Sequence, residues 1–267
     1  MKPIVFYPHR YRPKLKRVLC TDISPYRKGP SSRDTALLLF QNDQNAIASL
    51  QNASRLRAMG WLILAGDLDD ALDLHCKRRI YNLATRHGLT RHFPTRYASL
   101  ETAQYPCIVK SEKSTFGRGV RIVTSKQGVG SHTSPFVVEE LVRGCFEVSS
   151  LLAVNKGVIH AVLRTVYHYA DDAYVYPRVS EHVSDRRTEE TLPDNEHGVL
   201  SSLVQNYTGP CNFNYKVRPN GSLAIFECNI RVGSDIKDAP ADMAERFLLK
   251  MRDMALAEAT TKGMNNT

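Results

Sequence analysis

The chain is marked first by what it lacks. No apolar run approaches the length that a membrane helix needs, so a spanning protein is not expected. The opening Met1 to Phe6 is followed at once by Pro8, His9 and Arg10, which does not read as a secretory signal, and the cytoplasm is the expected location. Six cysteines (Cys20, Cys76, Cys107, Cys145, Cys211 and Cys228) form no C-x-x-C pair, which argues against a zinc site and against a disulfide framework. There is no G-x-x-x-x-G-K-[ST] phosphate loop, and Gly117-Arg-Gly119 lacks the third glycine of a dinucleotide fingerprint. Internal repeats and low-complexity blocks are absent as well.

What is there is ordinary globular material: 267 residues, 42% hydrophobic and 24% charged, enough for a sizeable core. The net charge of +9 is uneven, because residues 1–33 carry nine Lys or Arg against Asp22 alone. Such a segment can meet an anionic surface or partner. No helical register of aromatics or glycines accompanies it, so nucleic acid is not the favoured partner.

Local patterning predicts short strands at Val18–Leu19 and over Ala36 to Phe40, a helix from Asp43 to Met59 ended by Gly60, and a buried strand at Trp61 to Leu64. A helix over Lys77 to Arg86 carries Ile80, Leu83 and Ala84 on one face, with Gly88 as its left-handed stop. Strands follow at Pro106 to Lys110, Gly119 to Thr124, Leu151 to Val154 and Val158 to Tyr167, the last two joined by the Asn155-Lys156-Gly157 turn. A helix over Asn195 to Asn206 precedes a hairpin turning at Arg218-Pro219-Asn220-Gly221. The final helix starts near Asp238 and buries Met243, Phe247, Leu248 and Met251. Hairpins mixed with helices predict α+β layers.

Three blocks carry the chemistry. Pro106-Cys-Ile-Val-Lys110 is an apolar strand delivering a lysine to a small-residue loop containing Lys113, Ser114, Gly117 and Gly119; such a loop can fold its N–H groups over phosphates, or be an ordinary hairpin. Phe136-Val-Val-Glu139-Glu140-Leu-Val142 runs on to Glu147, a strand and linker able to offer backbone groups to a purine and a carboxylate to a ribose, or simply two solvated glutamates. In the last hairpin, period-two alternation puts Glu227, Asn229 and Arg231 on one face and Asn214 opposite them. Oxygen ligands at i and i+2 beside a cross-strand third suit Mg²⁺. Ile225, Phe226 and Cys228 make a solvent-facing sheet edge the poorer reading.

These blocks, in this order, resemble the ATP-grasp family from about Leu74 to Leu256, most specifically through Glu227-x-Asn229-x-Arg231 after an Asn-Gly hairpin. The resemblance implies an α+β fold with a short basic N-terminal α/β lobe (residues 1–73), two α+β lobes clamping ATP (74–258) and a flexible tail (259–267). It also implies a carboxylate–amine ligase that uses ATP and Mg²⁺, with Mn²⁺ as the alternative, on a small carboxylic acid such as an amino acid or peptide; a homodimer is allowed. By position, Lys77 would reach the α-phosphate and Lys110 the α- and β-phosphates. The loop from Lys113 to Gly119 would close over the triphosphate. Glu139, Glu140 and Val142 would form the adenine hinge, and Glu147 would take the ribose. Glu227, Asn229 and Asn214 would hold the metal, while Arg231, with Lys110, would stabilise the transferring phosphoryl group. Arg164, His168, Tyr174, Tyr176 and Arg178 are expected to line the acceptor side. Asn214 stands where many relatives place a carboxylate, Cys76 precedes Lys77 where an acidic residue is common, and Ile230 replaces the usual proline. A noncatalytic nucleotide-binding protein and a phosphotransferase are the rival readings.

Overall fold

A computed structural model describes residues 4–6, 36–40, 42–111, 119–126, 136–173, 183–237 and 239–264. The first layer is a parallel sheet in the order β1-β2-β3, formed by β1 (Ile4–Phe6), β2 (Ala36–Leu38) and β3 (Trp61–Leu62). Between β2 and β3 lie α1 (Asp43–Gln51) and α2 (Ala53–Ala58). The continuous helix expected over Asp43 to Met59 is therefore broken at Asn52. Its side chain bonds back to the Ala48 carbonyl at 2.7 Å while its backbone leaves the helical region, a local competition to which asparagine is prone. The expected strands at Val18 and Leu19 lie outside the described residues.

Next come α3 (Leu68–His75) and α4 (Lys77–Arg86). α3 was not legible as a helix, although Asp67 caps it by accepting from the Asp69 N–H at 2.7 Å. The second sheet is antiparallel in the order β4-β7-β5-β6, with β4 (Arg96–Tyr97), β5 (Cys107–Ser111), β6 (Val120–Val123) and β7 (Phe136–Glu140). Cys107, Val109, Val123 and Val138 fill its own small core.

The third sheet is antiparallel in the order β10-β9-β8-β11-β12, built from β8 (Phe146–Asn155), β9 (Val158–Tyr169), β10 (Val183–Glu189), β11 (Gly209–Val217) and β12 (Leu223–Asn229). β10 had no apolar rhythm to betray it; Asp185, Arg186 and Arg187 mark it as a charged edge strand. Alternation sorts the central strands between two cores. Val148, Leu152 and Val154 of β8 join Phe213 and Tyr215 of β11 against α5 (Asp194–Leu203). Leu151 and Ala153, with Leu163 of β9, face α6 (Ala241–Met264), whose Phe247, Leu248 and Met251 also cover Leu37 and Leu62 of the first sheet. α6 continues to Met264.

Candidate functional site

The centre of the site is a β-bulge. Asn212 pairs with Asn229 and Asn214 with Glu227, but Tyr215 pairs with Ile225, which leaves Phe226 as an extra residue in β12. A bulge re-aims side chains and frees backbone groups. Here Glu227 is set toward Asn214, and the Phe226 carbonyl accepts from Lys110 Nζ at 3.2 Å. Asn214 Nδ2 and Asn229 Nδ2 each donate to Glu227 Oε1 at 3.1 Å. Behind them Ser149 Oγ donates to Asn214 Oδ1 at 2.9 Å and lies 2.5 Å from Asp235 Oδ2, while the Tyr167 hydroxyl donates to Asp235 Oδ1.

Lys77 arrives from α4. The buried stripe of this helix is Lys77, Ile80, Leu83 and Ala84, so the position one turn ahead of Ile80 is occupied by a lysine. Lys110 arrives from the second sheet, where Ile108, Lys110 and Glu139 share the face opposite the apolar core. Lys110 Nζ lies 2.5 Å from Glu139 Oε2, and Glu139 Oε1 accepts from Arg96 Nε at 3.0 Å. Arg96 in turn donates to the Lys77 carbonyl at 2.6 Å, tying α4 to the sheet.

Burial raises the Glu227 carboxyl, but Lys77, the Asn229 amide, Lys110 and the Asn214 amide outweigh it and hold the group below its ordinary 4.5. Burial likewise lowers the Lys77 ammonium, opposed by Glu227, reinforced by Lys110, and opposed again by Glu139 and Asp43. Two cations and two carboxylates from separate elements thus share one electrostatic neighbourhood.

Six of the residues singled out in the sequence meet here: Lys77, Lys110, Glu139, Glu227, Asn214 and Asn229. Arg231 follows at the end of β12 and pairs with Asp43 of α1, Nε to Oδ2 at 3.2 Å. The Glu139 carboxylate is committed to Lys110 and Arg96, while the part expected of this residue is one for its backbone. The Glu140 carboxylate is turned elsewhere, accepting from the Thr95 N–H at 2.9 Å and from Arg218 at 3.1 Å. The Val142 and Gly144 carbonyls, in the linker between β7 and β8, accept from Lys216 Nζ at 3.1 and 2.6 Å, and Glu147 lies within electrostatic reach of that ammonium. Gly119 holds a φ of 82° at the start of β6. Lys113, Ser114 and Gly117 lie outside the described residues, as do Tyr174, Tyr176 and Arg178.

Arg164 needs correction. It is buried on the face of the third sheet opposite Glu227, where Glu196 grips it at 2.7 Å through both Nε and Nη2, so it does not stand beside the Glu227 site. His168 stacks on Phe146, ring centroids 4.6 Å apart. Sequence reasoning missed Asp43, Arg96, Ser149, Tyr167 and Asp235, which are joined to the site only by distant contacts. Asp43 alone left a signal, as a charge in the buried stripe of a helix.

No protein-family model and no curated protein matches the sequence. Solved structures do match in shape. The phosphoribosylamine–glycine ligase of Thermotoga maritima is 15% identical over 96% of this chain and 70% of its own, with a TM-score of 0.64. The D-alanine–D-alanine ligase of Bacillus anthracis is 15% identical over 87% of this chain and 83% of its own, with a TM-score of 0.57. The biotin carboxylase of Campylobacter jejuni is 13% identical over 83% of this chain and 54% of its own, with a TM-score of 0.58. Three sheets in this order, a bulged hairpin presenting Glu227 beside two lysines, and shape likeness to these ligases make the chain a bearer of the ATP-grasp fold.

Proposed function

We propose that the chain is an ATP-dependent ligase that activates a carboxylate as an acylphosphate and joins it to an amine, with an amino acid, a peptide or another small acid as substrate. The observation that carries this reading is the setting of Glu227: an acid kept below its ordinary range, bonded by two amides, with Lys77 and Lys110 brought to it from two other elements.

The donor set fits a hard divalent cation. Glu227 offers a carboxylate, and each of Asn214 and Asn229 can present either its oxygen or its N–H edge. Among the described residues no three His, Cys, Asp or Glu side chains cluster to hold a metal by themselves, so Mg²⁺ or Mn²⁺ would need phosphate oxygens to complete its shell. Held by Glu227, Asn229 and Asn214, the ion would supply positive charge to the β- and γ-phosphates.

The chain's own residues account for placement. Lys110 is held ready between the Glu139 carboxylate and the Phe226 carbonyl, and Lys77 lies in the same field, so both can bind phosphate oxygens with little reorganisation. Arg231 takes up charge on the phosphoryl group in flight. A substrate carboxylate oxygen attacks the γ-phosphorus as the bond to ADP breaks; the amine then attacks the acyl carbon, and phosphate leaves. Removing one such donor from a closed site costs about 3–4 kcal/mol of transition-state stabilisation.

The test is ADP release against pools of carboxylic acids and amines, with mass detection of the joined product. In the active pool Glu227→Gln is expected to lower turnover by at least about 100-fold while keeping the fold. Undiminished turnover in that variant ends this reading of the site.

A further inference from the structure

Asp43 is a charge where the helix pattern calls for an apolar residue. The buried positions of α1 are Asp43, Ala46 and Ser49, so the stripe that packs this helix begins with a carboxylate only 8% exposed. Burying an acid is costly unless it is paired. The pair is Arg231, 188 residues away in sequence, whose Nε donates to Asp43 Oδ2 at 3.2 Å.

The guanidinium is fixed at a second point, since Nη1 donates to the Val232 carbonyl at 3.4 Å. Nη2 has no hydrogen-bond partner among the described residues. A guanidinium is planar, so holding two of its nitrogens sets the direction of the third. Asp43 does not divide its attention among many donors either. Its Oδ1 is buried without a hydrogen bond, and His75 Nδ1 stands 3.7 Å from it, beyond bonding distance. Asp43 also lies within electrostatic reach of Lys77, as well as of the buried Tyr207 and Cys228.

We propose that Asp43 is a positioning residue for Arg231, holding the guanidinium by Nε from the N-terminal layer so that Nη2 is presented to the γ-phosphate of the bound nucleotide. The inference rests on the ATP-site reading above and goes beyond it, because it makes α1 a working part of the phosphoryl-binding apparatus. A role confined to tying α1 to the end of β12 would affect folding alone; a positioning role affects the γ-phosphate selectively.

The experiment compares Mg²⁺-ATP and Mg²⁺-ADP affinities, by calorimetry, of the full chain as wild type, Asp43→Ala, Asp43→Asn, Arg231→Ala and the double variant Asp43→Ala with Arg231→Ala. Melting curves accompany each variant. Loss of one charge-assisted bond to the γ-phosphate is expected to weaken ATP about tenfold in Arg231→Ala and to leave ADP unchanged. Asp43→Ala should reproduce most of that loss, Asp43→Asn, which retains an acceptor, only part of it, and the double variant should be no worse than Arg231→Ala. If Asp43→Ala does not fold, Asp43→Asn and its combination with Arg231→Ala carry the same comparison. Wild-type preference for ATP in the Asp43 variants, an equal loss for both nucleotides, or losses that add to those of Arg231→Ala would overturn the proposal. A wild-type chain that binds neither nucleotide would instead sink the ATP reading itself, and this inference with it.

Discussion

Asn214 faces Glu227 directly across the β11–β12 ladder, and its Nδ2 donates to Glu227 Oε1 at 3.1 Å. An amide therefore occupies a place where a second acid would repel the first. Asn214→Asp replaces a donor to Glu227 with a like charge at contact distance, which disfavours the ionised pair. We expect a loss of about 2 kcal/mol in a chelated buffer at pH 7, read as a melting point lower by about 4 °C. Millimolar Mg²⁺ should restore most of it in the variant and leave the wild type nearly unmoved, because a hard dication gains most from a second carboxylate. A variant as stable as the wild type in chelator would contradict the facing geometry.

Lys216 is the buried cation of the linker. Its Nζ donates to the carbonyls of Val142, Gly144 and Asp172 at 3.1, 2.6 and 3.3 Å, and burial lowers its pKa against the opposing pull of Glu147 and Asp172. Lys216→Met keeps the length of the side chain and removes all three bonds. Leaving buried carbonyls unsatisfied costs roughly 1–3 kcal/mol each, partly offset by no longer burying a charge. The effect should be local: exchange of the Gly144 amide, bonded to the Asp172 carbonyl, and of the Tyr169 amide, bonded to that of Cys145, should speed up by tenfold or more while β11 and β12 stay protected. Unchanged exchange across the linker would show that Lys216 does not organise it.

The division between what could be read in the sequence and what could not follows the range of the interactions. Turns and stripes are local, and they were legible. Lys156 at φ 48° and Gly157 at φ 78° make the Asn155-Lys156-Gly157 turn, and Gly221 at φ 77° closes the one after Arg218. The same grammar placed Lys77, Lys110, Asn214, Glu227 and Asn229 on elements that the structure brings together. What was not legible depends on partners chosen by the tertiary fold. Nothing near Glu139 announces that Lys110 and Arg96 will claim its carboxylate, and nothing near Arg164 announces Glu196 on the far face of the sheet. Asn52 breaks the first helix by a side-chain bond that periodicity cannot register.

Glu140 supplies a pH test. Burial raises its carboxyl, but the Thr95 N–H and hydroxyl and the Arg218 guanidinium outweigh this, and the net shift is below 4.5. An acid shifted down in the folded state stabilises the fold fully above its unfolded pKa and loses that contribution as pH falls through the folded value. Glu140→Gln should thus cost about 1 kcal/mol near pH 7, since both partners remain partly open to solvent. The difference from wild type should stay constant down to about pH 5 and shrink below pH 4.5. Urea midpoints measured at intervals of pH decide it, and a gap that widens in acid would contradict the assignment.

The network behind the third sheet offers a test that separates stability from function. Arg164 is gripped by Glu196 through two bonds of 2.7 Å, Glu189 accepts at 3.1 Å, and the Tyr215 hydroxyl reaches Glu196 while lying 2.8 Å from Ser150 Oγ. Burial lowers the Arg164 pKa, but Glu196 more than reverses this and the net shift is upward; burial followed by Glu196 raises that of Tyr215. Breaking such a pair from one side strands a charge, so Arg164→Met or Glu196→Leu alone should cost about 3–5 kcal/mol in urea unfolding. Replacing both removes the stranded charge along with the bonds, and the double variant is expected to be more stable than either single one. On the ATP-site reading proposed above, and because the network lies on the face of the sheet away from Glu227, the double variant should keep wild-type ATP affinity at temperatures where it is folded. A double variant with the summed cost of the two single ones would mean that the pair is not an isolated unit, and one that folds normally but loses ATP would tie this buried charge network to the cleft after all.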